Sequence, residues 1–257
     1  MRDSELLVAR RVANEDQSAT GAPPAVAIRN LSYVYPNGHP ALRDISLTIH
    51  TGDRVALMGP NGAGKSTLLM HLNGVIRGQG TIEIGGLALG DTTVRQIRAT
   101  VGFVFQNPDD QLFSPTVFDD VAYGPLYMGL SRQEIQHRVR AALASVDMAG
   151  FEDRMPHHLS LGQRKRISLA TVLAMDPRIL VLDEPSAGLD PRARKGLIAL
   201  LGGLPQTLIA STHDMRLVRD LFDRAVIMHE GRIVVDAPTS EIIDDEALLD
   251  RYGLELP

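Results

Sequence analysis

The 257-residue sequence contains no cysteine, which removes disulfide frameworks, thiolate zinc sites, iron–sulfur clusters and thiol nucleophiles together. It also lacks any stretch approaching the ~18 uninterrupted apolar residues that crossing a bilayer requires. Its apolar runs are as short as Ile179-Leu180-Val181-Leu182, so this chain alone is not expected to form a channel. A basic excess is missing as well: 26 Lys and Arg against 31 Asp and Glu leave a net charge of −5, and no global positive field recruits nucleic acid by counterion release. Between residues 1 and 24 there is no apolar segment of the secretory kind, because Arg10, Arg11, Asn14, Glu15 and Asp16 stand where it would lie, and the chain reads as cytoplasmic. No repeat at solenoid spacing is present. Lysine occurs only at 65, 165 and 195, so each position carries information.

What remains is ordinary globular composition, 44% apolar and 22% charged, enough for one large domain or two small ones. Residues 1–25 are polar, mix both charge signs and end in Gly21-Ala22-Pro23-Pro24, which reads as a flexible tail. The domain is expected over 26–235. Strands are expected at Ser46-Leu47-Thr48-Ile49, at the buried run Val55-Ala56-Leu57-Met58, in short segments between Gly80 and Gly90, and from Val101 to Phe105. A helix is expected from Leu68 to Val75. From Thr116 to about Asp147 the texture is helical, with Ser131 and Glu134 in capping-box spacing and Ile135, Val139, Leu143 and Val146 on one face. This marks an inserted helical subdomain at about 107–164. Beyond Pro156 comes a helix from about Ser160, a strand at Ile179 to Leu182, and a helix opened by Asp190 as N-cap with Pro191 at its first position. Strands at Leu208 to Ser211, Ala225 to Met228 and Ile233 to Val235 follow, the last two joined across Glu230-Gly231. This alternation implies an α/β fold with a largely parallel sheet. Residues 236–257 read as a weakly helical, acidic extension.

The segment Gly59-Pro60-Asn61-Gly62-Ala63-Gly64-Lys65-Ser66 fits the phosphate-binding loop pattern between an expected strand and an expected helix. Glycines let backbone N–H groups wrap a phosphate, the helix dipole favours negative charge, Lys65 reaches β and γ phosphates, and Ser66 ligates Mg2+. Arg178-Ile179-Leu180-Val181-Leu182-Asp183-Glu184-Pro185 is a buried strand ending in two acids, a pair that seldom serves packing. Asp183 suits Mg2+ binding through water and Glu184 suits a general base. The competing reading has these acids simply opening the next helix. Leu159-Ser160-Leu161-Gly162-Gln163 precedes another helix whose N-terminus could hold a second anion.

In this order, the three segments resemble the ATP-binding cassette family, whose signature is commonly Leu-Ser-Gly-Gly-Gln; the resemblance covers Val26 to about Val235. It implies a phosphate-loop NTPase fold with a RecA-like, mostly parallel sheet core, an antiparallel β subdomain and the inserted helical subdomain. It further implies ATP and Mg2+ as cofactors. Tyr35 then corresponds to the aromatic that stacks on adenine, Gln106 to the glutamine at the helical lobe, Ser186-Ala187-Gly188-Leu189-Asp190 to the loop communicating across a dimer, and His213 to the histidine at the γ-phosphate. The nucleotide set implied is Tyr35, Asn61, Gly62, Gly64, Lys65, Ser66, Thr67, Gln106, Ser160, Gly162, Gln163, Asp190 and His213, with Ser66, Gln106 and Asp183 on the metal and Glu184, His213, Gln106 and Lys65 catalytic. Leu161 departs from the usual glycine. Each residue also has a plainer reading by itself: Tyr35 as a core or rim aromatic, His213 as a loop histidine, Arg164-Lys165-Arg166 as a solvated face, and His157-His158 as a loop detail.

Because the family's signature serves nucleotide held by the opposite subunit, one loop and one signature per chain imply at least a dimer, with a second copy of the chain as the expected partner, or else a different subunit, and C2 symmetry if the two are identical. The run from Phe105 through Pro108, Asp109, Asp110, Leu112, Phe113 and Thr116 to Tyr123-Gly124-Pro125 is similar to the energy-coupling-factor importers, most of all their cobalt and nickel members. That resemblance implies a transmembrane coupling subunit and substrate-capture membrane subunits as partners, no nucleic acid, and a peripheral place on the cytoplasmic face of the cell membrane. Asp109 and Asp110 beside Leu112 and Phe113 make an anionic, partly apolar surface suited to an arginine-bearing partner helix, or else an acidic solvated loop. The alternatives left open are a vitamin-importing complex and a soluble cassette ATPase acting on nucleic acid.

Overall fold

The computed structural model describes residues 22–254, and of the expected tail the part at 1–21 lies outside the described residues. The strands in chain order are β1 (Val26–Val34), β2 (Pro40–Ile49), β3 (Arg54–Met58), β4 (Gln79–Ile84), β5 (Leu87–Ala88), β6 (Val101–Val104), β7 (Ile179–Asp183), β8 (Thr207–Ser211), β9 (Arg224–His229) and β10 (Arg232–Pro238). The described residues divide into two compact units, one holding 22–97 and 207–254 and the other 98–206.

In the first unit, β2-β1-β4-β5 form an antiparallel sheet. Alternation fixes which face is covered: Val26, Ile28 and Leu31 of β1 lie with Ile45, Leu47 and Ile49 of β2 and Ile82 and Ile84 of β4 among the buried residues. A second set has β3 hydrogen-bonded in parallel to β8 on one side and to β9 on the other, with Ala56 opposite Ala210 and Ala225. Val55 to Met58 have no polar face because both sides of a central parallel strand are covered. β10 returns antiparallel beside β9 across Glu230-Gly231, the expected hairpin. Arg224 ties three strands: its Nε donates to Asp236 Oδ1 at 2.7 Å and its Nη1 to the Thr48 carbonyl at 2.8 Å.

The second unit holds the parallel pair β6 and β7, with Val104 opposite Leu182. Its helices are Val117–Tyr127, Arg132–Ser145, Leu161–Leu173 and Pro191–Gly202. Ser131 caps the second by accepting from the Glu134 amide, and Ile135, Val139, Leu143 and Val146 are all buried, as their spacing predicts. Asp190 is the N-cap of the last, accepting from the Arg192 and Ala193 amides, with Pro191 at its first position. Near the chain end, short helices Thr239–Ile242 and Glu246–Arg251 follow β10.

Three elements escaped the sequence pattern: β1 and the helices Val94–Thr100 and Met215–Leu221. The helix expected from Leu68 begins at Lys65 and ends at Leu72, because the left-handed Gly64 already serves as its N-cap.

Gly102 in β6 lies so close under the helix Leu161–Leu173 that an added Cβ would stand 2.0 Å from Val172 Cγ1 and 3.1 Å from Pro177 Cγ. Gly102→Ala is therefore expected to cost about 1–3 kcal/mol by overpacking, read as a lower urea midpoint; an unchanged midpoint would show that the helix yields without cost.

Candidate nucleotide site

Strand β3 runs out of the buried layer at Gly59, where the chain turns with no room for a side chain at that position. A Cβ on Gly59 would stand 2.2 Å from the Met228 carbonyl oxygen, and one on Gly64 2.6 Å from that of Ala41. Gly59, Gly62 and Gly64 all have positive φ. Gly64 opens the helix Lys65–Leu72 and makes no side-chain cap bond, and a helix N-terminus of this kind favours an anion. Lys65 is buried and folds back over the loop, its Nζ donating to the carbonyls of Gly59 at 2.7 Å and Pro60 at 3.1 Å. Uncapped amides, one ammonium and the hydroxyls of Ser66 and Thr67 form a donor set that fits a polyphosphate. Asn61 and Gly62 are exposed at the loop's crest.

Tyr35 and Thr67 share a hydroxyl–hydroxyl hydrogen bond of 2.9 Å, which fixes the aromatic to the helix that carries the loop. Tyr33 touches the Tyr35 ring and the His71 ring edge-on, each at 5.0 Å between centroids. His71 is fully buried with Nδ1 at 2.7 Å from the Thr67 carbonyl, and burial pushes its pKa down against the raising effect of that bond. Leu57 pairs with Ser211 across β3 and β8, so Gly59 and His213 leave at the same strand ends. His213 is exposed there, followed by Asp214, which caps the helix Met215–Leu221. Ligands of open α/β sheets gather at such carboxyl ends.

The acids belong to the second unit. Asp183 and Glu184 at the end of β7 are both buried, at 8% and 7% exposure, an unusual state for carboxylates that capping alone does not require. Glu184 has φ 44°, a left-handed backbone that a non-glycine residue adopts only under constraint. Gln106 follows β6 and is exposed. Val104 pairs with Leu182, so Gln106 and Glu184 leave the two strands at matching ends.

Ser160 and Gln163 complete a reciprocal capping box at the start of the helix Leu161–Leu173: Ser160 Oγ accepts from the Gln163 amide at 3.3 Å and Gln163 Oε1 from the Ser160 amide at 3.0 Å. The two side chains expected at an anion are thus first committed to each other. Gly162 faces the helix Pro191–Gly202, where a Cβ would lie 3.3 Å from Ala193 Cβ. Leu161, the departure from the common signature, packs toward Gly188, whose added Cβ would be 3.0 Å from Leu161 Cδ2. Within this unit the signature and the 186–190 loop are therefore neighbours, and Asp190 spends one carboxylate oxygen on its own helix.

Two charge readings change. Arg164-Lys165-Arg166 is not a solvated face. Arg164 pairs with Asp109 at 3.4 Å, Arg166 donates to the Val146 carbonyl and to Asp147, and Lys165 is buried at 6% exposure. Lys165 Nζ donates to the carbonyls of Glu184 at 3.1 Å and Gln106 at 3.2 Å; burial lowers its pKa to about 8, opposed by the Glu184 and Asp183 charges. A sequence signal existed: Lys165 precedes the buried Ser168, Leu169 and Val172 at helical spacing, on the covered face. Likewise Asp109 is not a free anion, since Arg164 answers it.

The sequence reading also missed Gln111, whose Oε1 accepts from the Phe105 amide while Nε2 donates to the Ser168 carbonyl and Thr171 Oγ1. Buried Asp120 does similar work, one oxygen accepting from the amides of Phe113 and Ser114. Held in this way, Phe113 is 68% exposed and meets the exposed Tyr123 edge-on at 5.2 Å, with Leu126 and Tyr127 also exposed on the same helix.

The ABC transporter family matches the chain over residues 42–187. A Gloeobacter violaceus protein named as an ABC transporter ATP-binding protein is 50% identical over 235 residues, covering 90% of this chain and 96% of its own. The energy-coupling factor transporter ATP-binding protein EcfA of Methanothermobacter thermautotrophicus is 45% identical over 238 residues, 90% of this chain and 76% of its own. Among solved structures, cbiO1 of Clostridium perfringens, part of the ABC transporter complex cbiONQ, aligns with a TM-score of 0.79 at 36% identity over 91% of this chain and 96% of its own.

The capping box has a direct consequence for stability. Ser160→Ala removes one half of it and is expected to cost about 1 kcal/mol, measured by urea denaturation; no change would mean that the helix start is held by its neighbours instead.

Proposed function

The chain belongs to the ABC transporter family and is an ATPase with the phosphate-loop NTPase fold, and from that premise we propose that it powers an energy-coupling-factor importer from the cytoplasmic face of the cell membrane, with cobalt or nickel ions as the cargo of separate membrane subunits. The observation that carries the importer reading is the likeness to EcfA and cbiO1 along nearly the whole chain. The exposed Phe113–Tyr123 pair on the helical lobe supports it by offering a membrane subunit's helix an apolar, aromatic seat.

In this reading ATP lies on the loop amides 59–67. Lys65 moves from the loop carbonyls to the β and γ phosphates, and Tyr35 receives the adenine ring. Mg2+ takes oxygen ligands, which suits the Ser66 hydroxyl, the Gln106 amide oxygen and the Asp183 carboxylate. When bound, it neutralises charge on the transferring phosphoryl group. Glu184 draws the proton from the attacking water, and His213 and Gln106 orient the γ-phosphate and the water. Ser160, Gly162, Gln163 and Asp190 face the nucleotide of a second copy. A chain with one loop and one signature completes both sites only as a head-to-tail pair.

Glu184→Gln keeps the shape of the acid and removes its basicity. It is expected to cut ATP turnover by at least about 100-fold and to accumulate an ATP-dependent dimer on gel filtration. Normal turnover in that variant would end the assignment of Glu184 as base. Independently, Phe113→Asp is expected to reduce co-purification with the transmembrane partner while ATP binding stays unchanged; full recovery of the complex would place the docking surface elsewhere.

A further inference from the structure

Lys165 is a buried cation that none of these roles uses. Taking an ammonium from water costs several kcal/mol unless partners replace the lost solvent, so what it touches indicates why it is there. It lines a small, mostly apolar cavity with Phe105, Leu169, Leu182 and Pro185, and its Nζ donates to two backbone carbonyls. Those carbonyls belong to Gln106 and Glu184, each just beyond the end of its strand. The Glu184 carbonyl also accepts from the Ala187 amide at 3.2 Å, within its own tight turn. Glu184 holds φ 44°, a conformation that costs roughly 1–3 kcal/mol and persists only when its surroundings enforce it.

Because a side chain leaves from its own backbone, whatever fixes the peptide of Glu184 aims its carboxylate. We propose that Lys165 is a positioning residue: its ammonium clamps the backbone of Glu184 and of Gln106 to the helix that opens at Ser160, so that the signature segment and the hydrolytic groups are set as one piece. This extends the reading of Glu184 as general base and rests on it. A leucine or methionine would fill the same space without the desolvation cost, so packing does not explain the lysine. The hydrogen bonds to two carbonyls do, and the neighbouring carboxylates of Glu184 and Asp183 oppose the downward pull of burial on its pKa. A shift of the helix would reach the acid's peptide through this side chain, because Nζ bonds both carbonyls.

The test uses the full chain with Lys165→Met, Lys165→Arg and Glu184→Gln, reading kcat, the KM for ATP and amide hydrogen exchange. Misplacement of a reacting group by ~1 Å can cost about 100-fold, so Lys165→Met is expected to lower kcat about 10- to 100-fold while the KM for ATP moves less than about threefold. Exchange at the Ala187 amide should rise, while exchange over the phosphate loop at 59–66 should not. Lys165→Arg, which keeps the charge and can span both carbonyls, should restore most of kcat and the protection at Ala187. Wild-type kcat with unchanged Ala187 exchange in Lys165→Met would overturn the proposal, as would an arginine variant as slow as the methionine one. If Lys165→Met does not fold, Lys165→Gln, which keeps a donor group but loses the charge, is read for the same fall in kcat and rise in exchange, and neither change occurring overturns it. Full turnover by Glu184→Gln would remove the general-base reading alone, since the exchange result at Ala187 reports the clamp without reference to hydrolysis.

Discussion

A turn that admits no side chain at two of its positions, Gly59 and Gly64, is the constraint on which the rest of the candidate site depends. Between β3 and the helix Lys65–Leu72 the backbone passes within contact distance of the Met228 and Ala41 carbonyls, so glycine is required at Gly59 and Gly64. Glycine at the N-cap also means that no side chain caps the helix start. Packing and binding thus make one demand: the close approach that holds the loop against its own sheet also strips it for an anion. Lys65 completes the arrangement by resting its Nζ on the loop's carbonyls.

The second unit handles a different difficulty, two carboxylates held out of water at a strand end. Their setting consists of a left-handed turn at Glu184, a buried ammonium on its carbonyl, and a helix whose first turn is closed by a capping box. Each device is local and modest in energy. Together they surround the two acids with backbone held from several sides. The helical lobe beside them is organised the opposite way. Gln111 and Asp120 satisfy the backbone of the 105–114 segment from within, and that lets Phe113 and Tyr123 remain outside as an apolar face.

Comparing pattern with structure shows where local rules suffice. The strand at Val55 to Met58, the face formed by Ile135, Val139, Leu143 and Val146, and the caps at Ser131, Ser160 and Asp190 follow from periodicity and end chemistry, which act over one or two helical turns. β1 was not legible. Its left-handed Asn30 and its register shifts against β2 break the alternation that would reveal a strand, and the Asn30–Asp44 side-chain bond that supports this irregularity joins residues far apart in sequence. The helix Val94–Thr100 buries only Ile97, too little to produce a stripe.

By itself the sequence determined the chemistry available: a phosphate loop, paired acids, a signature at a helix start, and no thiol or membrane-spanning segment, since those depend on residue type and short spacing. Only the tertiary structure decided what each charge does. Lys165 and Asp109 lie in runs that read as solvated, yet one is buried on two backbone carbonyls and the other is answered by Arg164. The reason is that a charge's role is set by the dielectric and the partners around it, and these are supplied by segments tens of residues away that meet only when the chain folds.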